Sequence, residues 1–435
     1  MTGAPPAYHL RPRRGWLNDP NGVVHWRGRW HVFFQHNPRG PWHDSIVWGH
    51  ASSADLVDWT EHLVAFSPVA DGPDGPDGPD AGGCWSGVAV VDGDRVAVAY
   101  TGVRTSAVDT TICVRYASDD ALDAWSAPVV AGLPPGGVRE MRDPFVFTWE
   151  GRRWALLGAW LESGPGLLLW SCDDLDSWRF ERVWLTSQDP LLGPLAPADI
   201  WECPQLVEVD GSWVLLVSLW AAGVLDRVVY AVGSLCTDVD GRPELVTTSG
   251  GLVDGGSSFY APQVLQDAPG GGPLLFGWVR EDGADAAASP EAVAGCLTLP
   301  RRLGLDGGRL VSCVDPAVRT LFGPIDAIPA DGALPAQAYL RVGREDAQGV
   351  ILAGVSLVIE VPVGAEAWLD GEVAEVYPVD GPPRTYRDPG TQMWTLSRAG
   401  DSTDSTDSTE LTFSPTGLTL LSVSGAAEAP EPTNV

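Results

Sequence analysis

The chain of 435 residues sets 57 acidic against 27 basic side chains, a formal charge of −30 at pH 7, which repels a polyphosphate backbone and excludes nucleic acid as a partner. No apolar run approaches the ~20 residues of a membrane span, and 44% hydrophobic residues with 51 Gly and 37 Pro describe a turn-rich globular chain too long for one ordinary core. Seven cysteines, at 84, 113, 172, 203, 236, 296 and 313, are scattered without any Cys-x-x-Cys pair, so reduced thiols are expected rather than disulfides or a zinc site. With an N-terminal stretch lacking an apolar signal segment, they point to the cytoplasm.

In chain order, short apolar or alternating runs recur between Gly, Pro and Asp turns: WHVFFQ at 30–35, RVAVAYTG at 95–102, RWALLGAW at 153–160, GLLLWS at 166–171, SWVLLVSLW at 212–220 and PLLFGWV at 273–279. This is the pattern of strands, with little helical periodicity. A phrase ending in tryptophan repeats as ASSADLVDW to Trp59, YASDDALDAW to Trp125 and WSCDDLDSW to Trp178, and these three tryptophans are read as packing residues. A second series contains Asp19, Ser86, Asp143, Glu202 and Phe259, at steps of 67, 57, 59 and 57 residues. Five such units of four short strands predict an all-β, five-bladed β-propeller over 1–304, in which equivalent positions converge on one funnel.

After CLTLPRRL, ending at Leu303, the alternation loosens in LVIEVPV, AEAWLDGEVAEVYPV and LTFSPTGLTLLSV. That change predicts a C-terminal β-sandwich over 315–425, followed by a frayed tail over 426–435. DGPDGPDGPDAGG at 71–83 and DSTDSTDSTE at 401–410 read as solvated loops without the ligand spacing of a calcium site. The first precedes Trp85 and is expected to rim the funnel, so that shortening it alters specificity more than stability.

Three of the five converging motifs carry a carboxylate: Asn18-Asp19-Pro20, Arg142-Asp143-Pro144 and Trp201-Glu202-Cys203-Pro204. Cleavage of a glycoside with retention needs two carboxyl groups about the scissile bond, one attacking the anomeric carbon and one protonating the departing oxygen. Asp-Pro and Asn-Gly are also ordinary turn signals, so the argument rests on the motifs together.

Together they resemble glycoside hydrolase family 32, the invertases, levanases, inulinases and sucrose-6-phosphate hydrolases. The resemblance is carried by GWLNDPNG at 15–22, WHVFFQHNP at 30–38, WGHASSADLVDW at 48–59, GCWSG at 83–87, YTG at 100–102, RDP at 142–144, WECPQL at 201–206, SFYAPQ at 258–263, LLFGW at 274–278 and LTLPR at 297–301, with LDGEVAEVYPVDG at 369–381 similar to the family's C-terminal motif. It implies a propeller joined to a sandwich, with Asp19 as nucleophile, Glu202 as general acid/base and Asp143 as stabiliser of the transition state. It further implies that Asn18, Gln35, Ser86 and Arg142 bind fructosyl hydroxyls, that Trp85 and Trp278 supply apolar walls, and that Cys203 stands beside the acid/base without acting as a nucleophile. His43 replaces a tryptophan common in relatives and is taken as a substrate contact; Ser258 stands where many carry an acidic residue.

The implied activity is release of terminal non-reducing β-D-fructofuranosyl residues from sucrose or short fructo-oligosaccharides, with a small sugar as the one partner and neither metal nor organic cofactor. The sequence assigns no oligomeric state. A fructosyltransferase working through the same covalent intermediate, and a catalytically silent fructan-binding protein, are the alternatives.

Overall fold

Runs of period-two hydrophobicity bounded by turn residues become antiparallel strands in the computed structural model, which describes residues 5–69, 78–281, 289, 291–324, 331–343, 349–399 and 418–423. Among these, the helical elements are the single turn Leu192–Leu195 and the 3-10 segment Pro316–Leu321, and no helix is long and apolar enough to cross a membrane. The expected loop at 401–410 and tail at 426–435 lie outside the described residues, as do residues 71–77 of the run before Trp85.

Up to Val314 the strands form five sheets in sequence order. The first contains Gly15–Trp26, Arg29–Asn37, Val47–Ser53 and Trp59–Glu61; the second Gly83–Asp92, Arg95–Val103, Thr110–Tyr116 and Val129–Gly132. The third contains Val138–Trp149, Arg152–Leu161, Gly164–Ser171 and Arg179–Thr186, and the fourth Ile200–Val209, Ser212–Ala221, Val224–Thr237 and Pro243–Leu252. Phe259–Leu265, Leu274–Val279, Arg301–Asp306 and Arg309–Val314 make the path of the fifth. The last two strands pair across a turn at Gly307 and Gly308, so the fifth sheet runs past the expected boundary at 304. The looser alternation after Leu303 is that of an outer hairpin, which is only partly buried.

The leading strand of each sheet packs against that of the next, and Phe259–Leu265 packs in turn against Gly15–Trp26. Two glutamines in equivalent Pro-Gln steps stitch this arrangement. Gln205 accepts from Gln263 Nε2 at 2.7 Å and from the Val264 N–H at 2.9 Å, while Gln263 accepts from the Gly22 N–H at 3.2 Å. Val293–Ala294 adds a parallel strand beside Gly15–Trp16. Of the repeating tryptophans, Trp178 is buried in the main core, while Trp59 and Trp125 are half-buried, Trp59 edge-on to Phe276 and Trp125 edge-on to Phe33. The indoles of Trp125 and Trp178 donate to the carbonyls of Leu122 and Leu175, three residues back in the repeated phrase.

Beyond Val314, a six-stranded and a three-stranded sheet share one core. Ala338, Leu340, Ala367, Leu369 and Val376 come from the larger sheet, and Val350, Leu352, Ile359, Val361 and Leu396 from the smaller. The junction with the five sheets is polar and buried. Arg301 donates to Asp254 Oδ2 at 2.8 Å and to Glu375 Oε2 at 2.6 Å, and His9 lies between Asp370, at 2.9 Å, and Glu375, at 3.0 Å. Burial opposes protonation of His9, but its two carboxylate partners hold it up to about 9. A second link joins Arg387 to Glu372 and to Glu281.

Candidate active site

An unbroken strand sends neighbouring side chains to opposite faces. Here the register breaks at the motif in every leading strand: between Leu17 and Pro20, between Cys84 and Gly87, opposite Leu156–Gly158 where Asp143 stands, between Glu202 and Gln205, and between Tyr260 and Gln263. Such bulges re-aim side chains, and the prolines at 20, 144, 204 and 262 fit them because proline has no N–H to give to a ladder. Asp143, Cys203 and Ala261, each just before its proline, take left-handed φ values of 59°, 45° and 44°. In consequence Asn18 with Asp19, Trp85 with Ser86, and Arg142 with Asp143 all face one cavity although each pair is consecutive.

That cavity has a volume of about 440 Å³. All ten residues singled out from sequence, namely Asn18, Asp19, Gln35, His43, Trp85, Ser86, Arg142, Asp143, Glu202 and Trp278, line it. Five more were not anticipated: Trp16, Trp220, Leu225, Tyr260 and Glu281.

Asp19 accepts from Ser86 Oγ at 2.7 Å and from Asn18 Nδ2 at 3.0 Å, and Asn18 is itself held by the Trp16 indole at 2.9 Å. Asp143 accepts from the Cys203 N–H at 2.9 Å, and its own N–H donates to Thr101 Oγ1 at 2.7 Å. The Cys203 thiol stands 3.6 Å from both Asp19 Oδ2 and Asp143 Oδ2, so the two carboxylates flank one sulfur. Burial and the surrounding carboxylates push this thiol well up, which makes it a poor nucleophile. Glu202 takes Arg142 Nη1 on Oε1 at 2.9 Å and Tyr260 Oη on Oε2 at 2.8 Å. The other arm of the Arg142 fork meets Glu140, and the guanidinium lies 5.1 Å from the centre of the Trp85 ring.

Burial raises all three carboxyl groups above their ordinary range. For Asp19 the Ser86 and Asn18 donors oppose it. Asp143 is pushed up to about 7, first by burial and then by the charge of Glu202, against the pull of Arg142. Glu202 is raised by burial while Arg142 and Tyr260 pull it back, and the charge of Asp19 adds to the rise. A buried set of three acids with one guanidinium is therefore built to keep a proton. Arg142 Nε and Trp278 Nε1 are buried donors without a protein partner, both on side chains lining the cavity.

The wall is held from behind at two points. Gly158 lies so close to the Glu202 strand that a Cβ there would sit 2.0 Å from the Trp201 carbonyl oxygen. Glu281, on the cavity wall, is fixed through Arg387 to Glu372 of the C-terminal unit.

Residues 9–313 match the family described as Glycosyl hydrolases family 32 N-terminal domain. Over 334 residues the chain is 36% identical to a sucrose-6-phosphate hydrolase of Bacillus subtilis (strain 168), covering 72% of this chain and 66% of the relative. Over 319 residues it is 32% identical to a raffinose invertase of Escherichia coli, covering 70% and 63%, so the alignments span a little under two thirds of these relatives. A Bombyx mori GH32 beta-fructofuranosidase, solved in complex with sucrose, superposes with a TM-score of 0.75 at 23% identity, covering 96% of this chain and 93% of that one. The matched stretch takes in all five sheets but for the last residue, Val314, and every residue of the cavity wall, and the chain belongs to glycosyl hydrolase family 32.

Proposed function

We propose that the protein is an exo-acting β-fructofuranosidase that hydrolyses sucrose or a short fructo-oligosaccharide with retention, on a five-bladed β-propeller backed by a β-sandwich. The reading rests above all on Asp19, Asp143 and Glu202, carried by three different sheets, lining one pocket with separate sets of donors. The ring of packed leading strands supports the propeller.

In this reading Asp19, ionised and steadied by Ser86 and Asn18, attacks C2 of the fructosyl unit while Glu202 gives its proton to the leaving oxygen. A covalent fructosyl-enzyme forms and the aglycone departs. Water then enters, Glu202 takes its proton, the bond to Asp19 breaks and fructose leaves. Asp143 and the free donors of Arg142 and Trp278 grip sugar hydroxyls, Gln35 and His43 close the wall, and the indole of Trp85 gives an apolar face.

An unphosphorylated substrate is assigned because Arg142 is the one cationic side chain on the described wall apart from His43, and its two terminal nitrogens are already engaged by Glu140 and Glu202. Glu281 adds a further acidic group there. The cytoplasm belongs to the same proposal, supported by seven free cysteines.

The test is release of glucose and fructose from sucrose, sucrose 6-phosphate and kestose by wild type, Asp19→Asn and Glu202→Gln, with folding followed by circular dichroism. The expected result is turnover of sucrose by wild type and losses of about 10²–10⁴-fold or more in the folded variants. Tight sugar binding without turnover would establish a binding protein instead, and oligosaccharide products at high sucrose a transferase.

A further inference from the structure

Away from the pocket, three ligand-type atoms meet between the first and second sheets. His50 lies in the strand Val47–Ser53, His62 follows the strand Trp59–Glu61, and Asp123 sits between Thr110–Tyr116 and Val129–Gly132. His50 Nδ1 is 3.2 Å and His62 Nδ1 2.9 Å from the same oxygen, Asp123 Oδ1, and the two imidazoles stack with centroids 4.2 Å apart. All three ligand atoms fall within 4.8 Å of one another. A tetrahedral ion with bonds of about 2.0–2.1 Å holds its ligand atoms about 3.3 Å apart, close to the two nitrogen–oxygen spacings seen here.

The outer nitrogens of both rings are occupied as well. His50 Nε2 is 2.9 Å from His31 Nδ1, and His62 Nε2 is 2.8 Å from Ser52 Oγ, which Arg29 also contacts. In metal centres it is the second ring nitrogen that fixes tautomer and orientation through such a bond. With protons on the two Nε2 atoms, both Nδ1 atoms stand as acceptors beside Asp123 Oδ1, a cluster that a bound cation would stabilise. Sequence spacing concealed the set, because His50, His62 and Asp123 follow no ligand motif.

We propose that His50, His62 and Asp123 bind one divalent transition cation, zinc by preference, which clips the turn carrying Asp123 onto the outer strands of the first sheet. Two imidazoles and a carboxylate suit zinc better than calcium or magnesium, which take oxygen ligands. Asp123 is 47% exposed and His62 19%, so the ion has a route in and a water can complete the coordination. None of the three residues lines the sugar pocket, and the site serves stability rather than chemistry.

The experiment strips the full-length protein with a chelator and titrates it with zinc chloride, reading zinc per chain, Tm and, with cobalt as a substitute, the visible absorption of a tetrahedral centre. One zinc per chain, a Tm raised by mass action, and binding weakened roughly tenfold or more in both His62→Gln and Asp123→Asn are expected. These two residues are partly exposed, so the variants are expected to fold and to retain sucrose turnover in the absence of metal. Failure to take up zinc would overturn the proposal in favour of proton-bridged hydrogen bonds. Uptake unchanged in both variants would overturn it by placing the metal elsewhere.

Discussion

Replacing Tyr260 by phenylalanine removes one hydroxyl and leaves the ring. That hydroxyl donates to Glu202 Oε2 at 2.8 Å in a buried setting and favours the ionised carboxylate, which Arg142 also supports from the other oxygen. A hydrogen bond to a charged group contributes about 1.5–3 kcal/mol. At 1.36 kcal/mol per pH unit, its loss raises the Glu202 pKa by about 1–2 units. If Glu202 is the acid, the alkaline limb of kcat/KM is its deprotonation, so the variant's limb should move to higher pH by that amount, with the circular dichroism spectrum unchanged. The assay is initial-rate hydrolysis of sucrose across the pH range for wild type and Tyr260→Phe. A limb that stays in place or moves down in a folded variant would refute the chain of reasoning from Tyr260 to Glu202 to the leaving group.

Two further outcomes concern the scaffold. Because His9 is held up to about 9 in the folded protein against about 6.5 when unfolded, its stabilisation is complete below the unfolded value and disappears as pH rises through the folded one. His9→Gln should therefore lower Tm most at mildly acidic pH, with the gap to wild type closing toward pH 9. The difference corresponds to about 3 kcal/mol at most, and a gap constant with pH would contradict it. Gly158→Ala places a methyl group against the Trp201 carbonyl, and should cost about 1–3 kcal/mol in urea unfolding while reducing kcat more than the same substitution at the open turn of Gly136, where a Cβ meets nothing within 4 Å.

What could be read from sequence followed from local rules that survive folding. Alternating runs between turn residues marked the strands, and Asp19, Asp143 and Glu202 stood out because their motifs recur at similar steps along the chain and together resemble a known family. Tyr260 was present in a recognised motif about one repeat beyond Glu202, 58 residues on, but the repeat spacing does not say which side chains of neighbouring motifs meet. Glu140, Trp220, Leu225 and Glu281 carried no signal, since each reaches the site through the path of its strand or loop. The alternation in LDGEVAEVYPVDG identified strands of the C-terminal unit, but not that Asp370, Glu372 and Glu375 turn back to hold His9, Arg301 and Arg387. Buried ion pairs between units depend on both partners, and only one is visible in any stretch of sequence.

The contacts of the N-terminal segment also set an order of events during synthesis. The backbone N–H groups of Ala7, Tyr8 and His9 all donate to Asp370, and the His9 ring reaches Glu375, 366 residues further along. At a translation rate of roughly 5–20 residues per second, the segment waits about 20–70 s for these partners after leaving the ribosome. Residues 7–9 are thus made before the five sheets but fastened only after them, and they wait beside the first sheet until the C-terminal unit emerges.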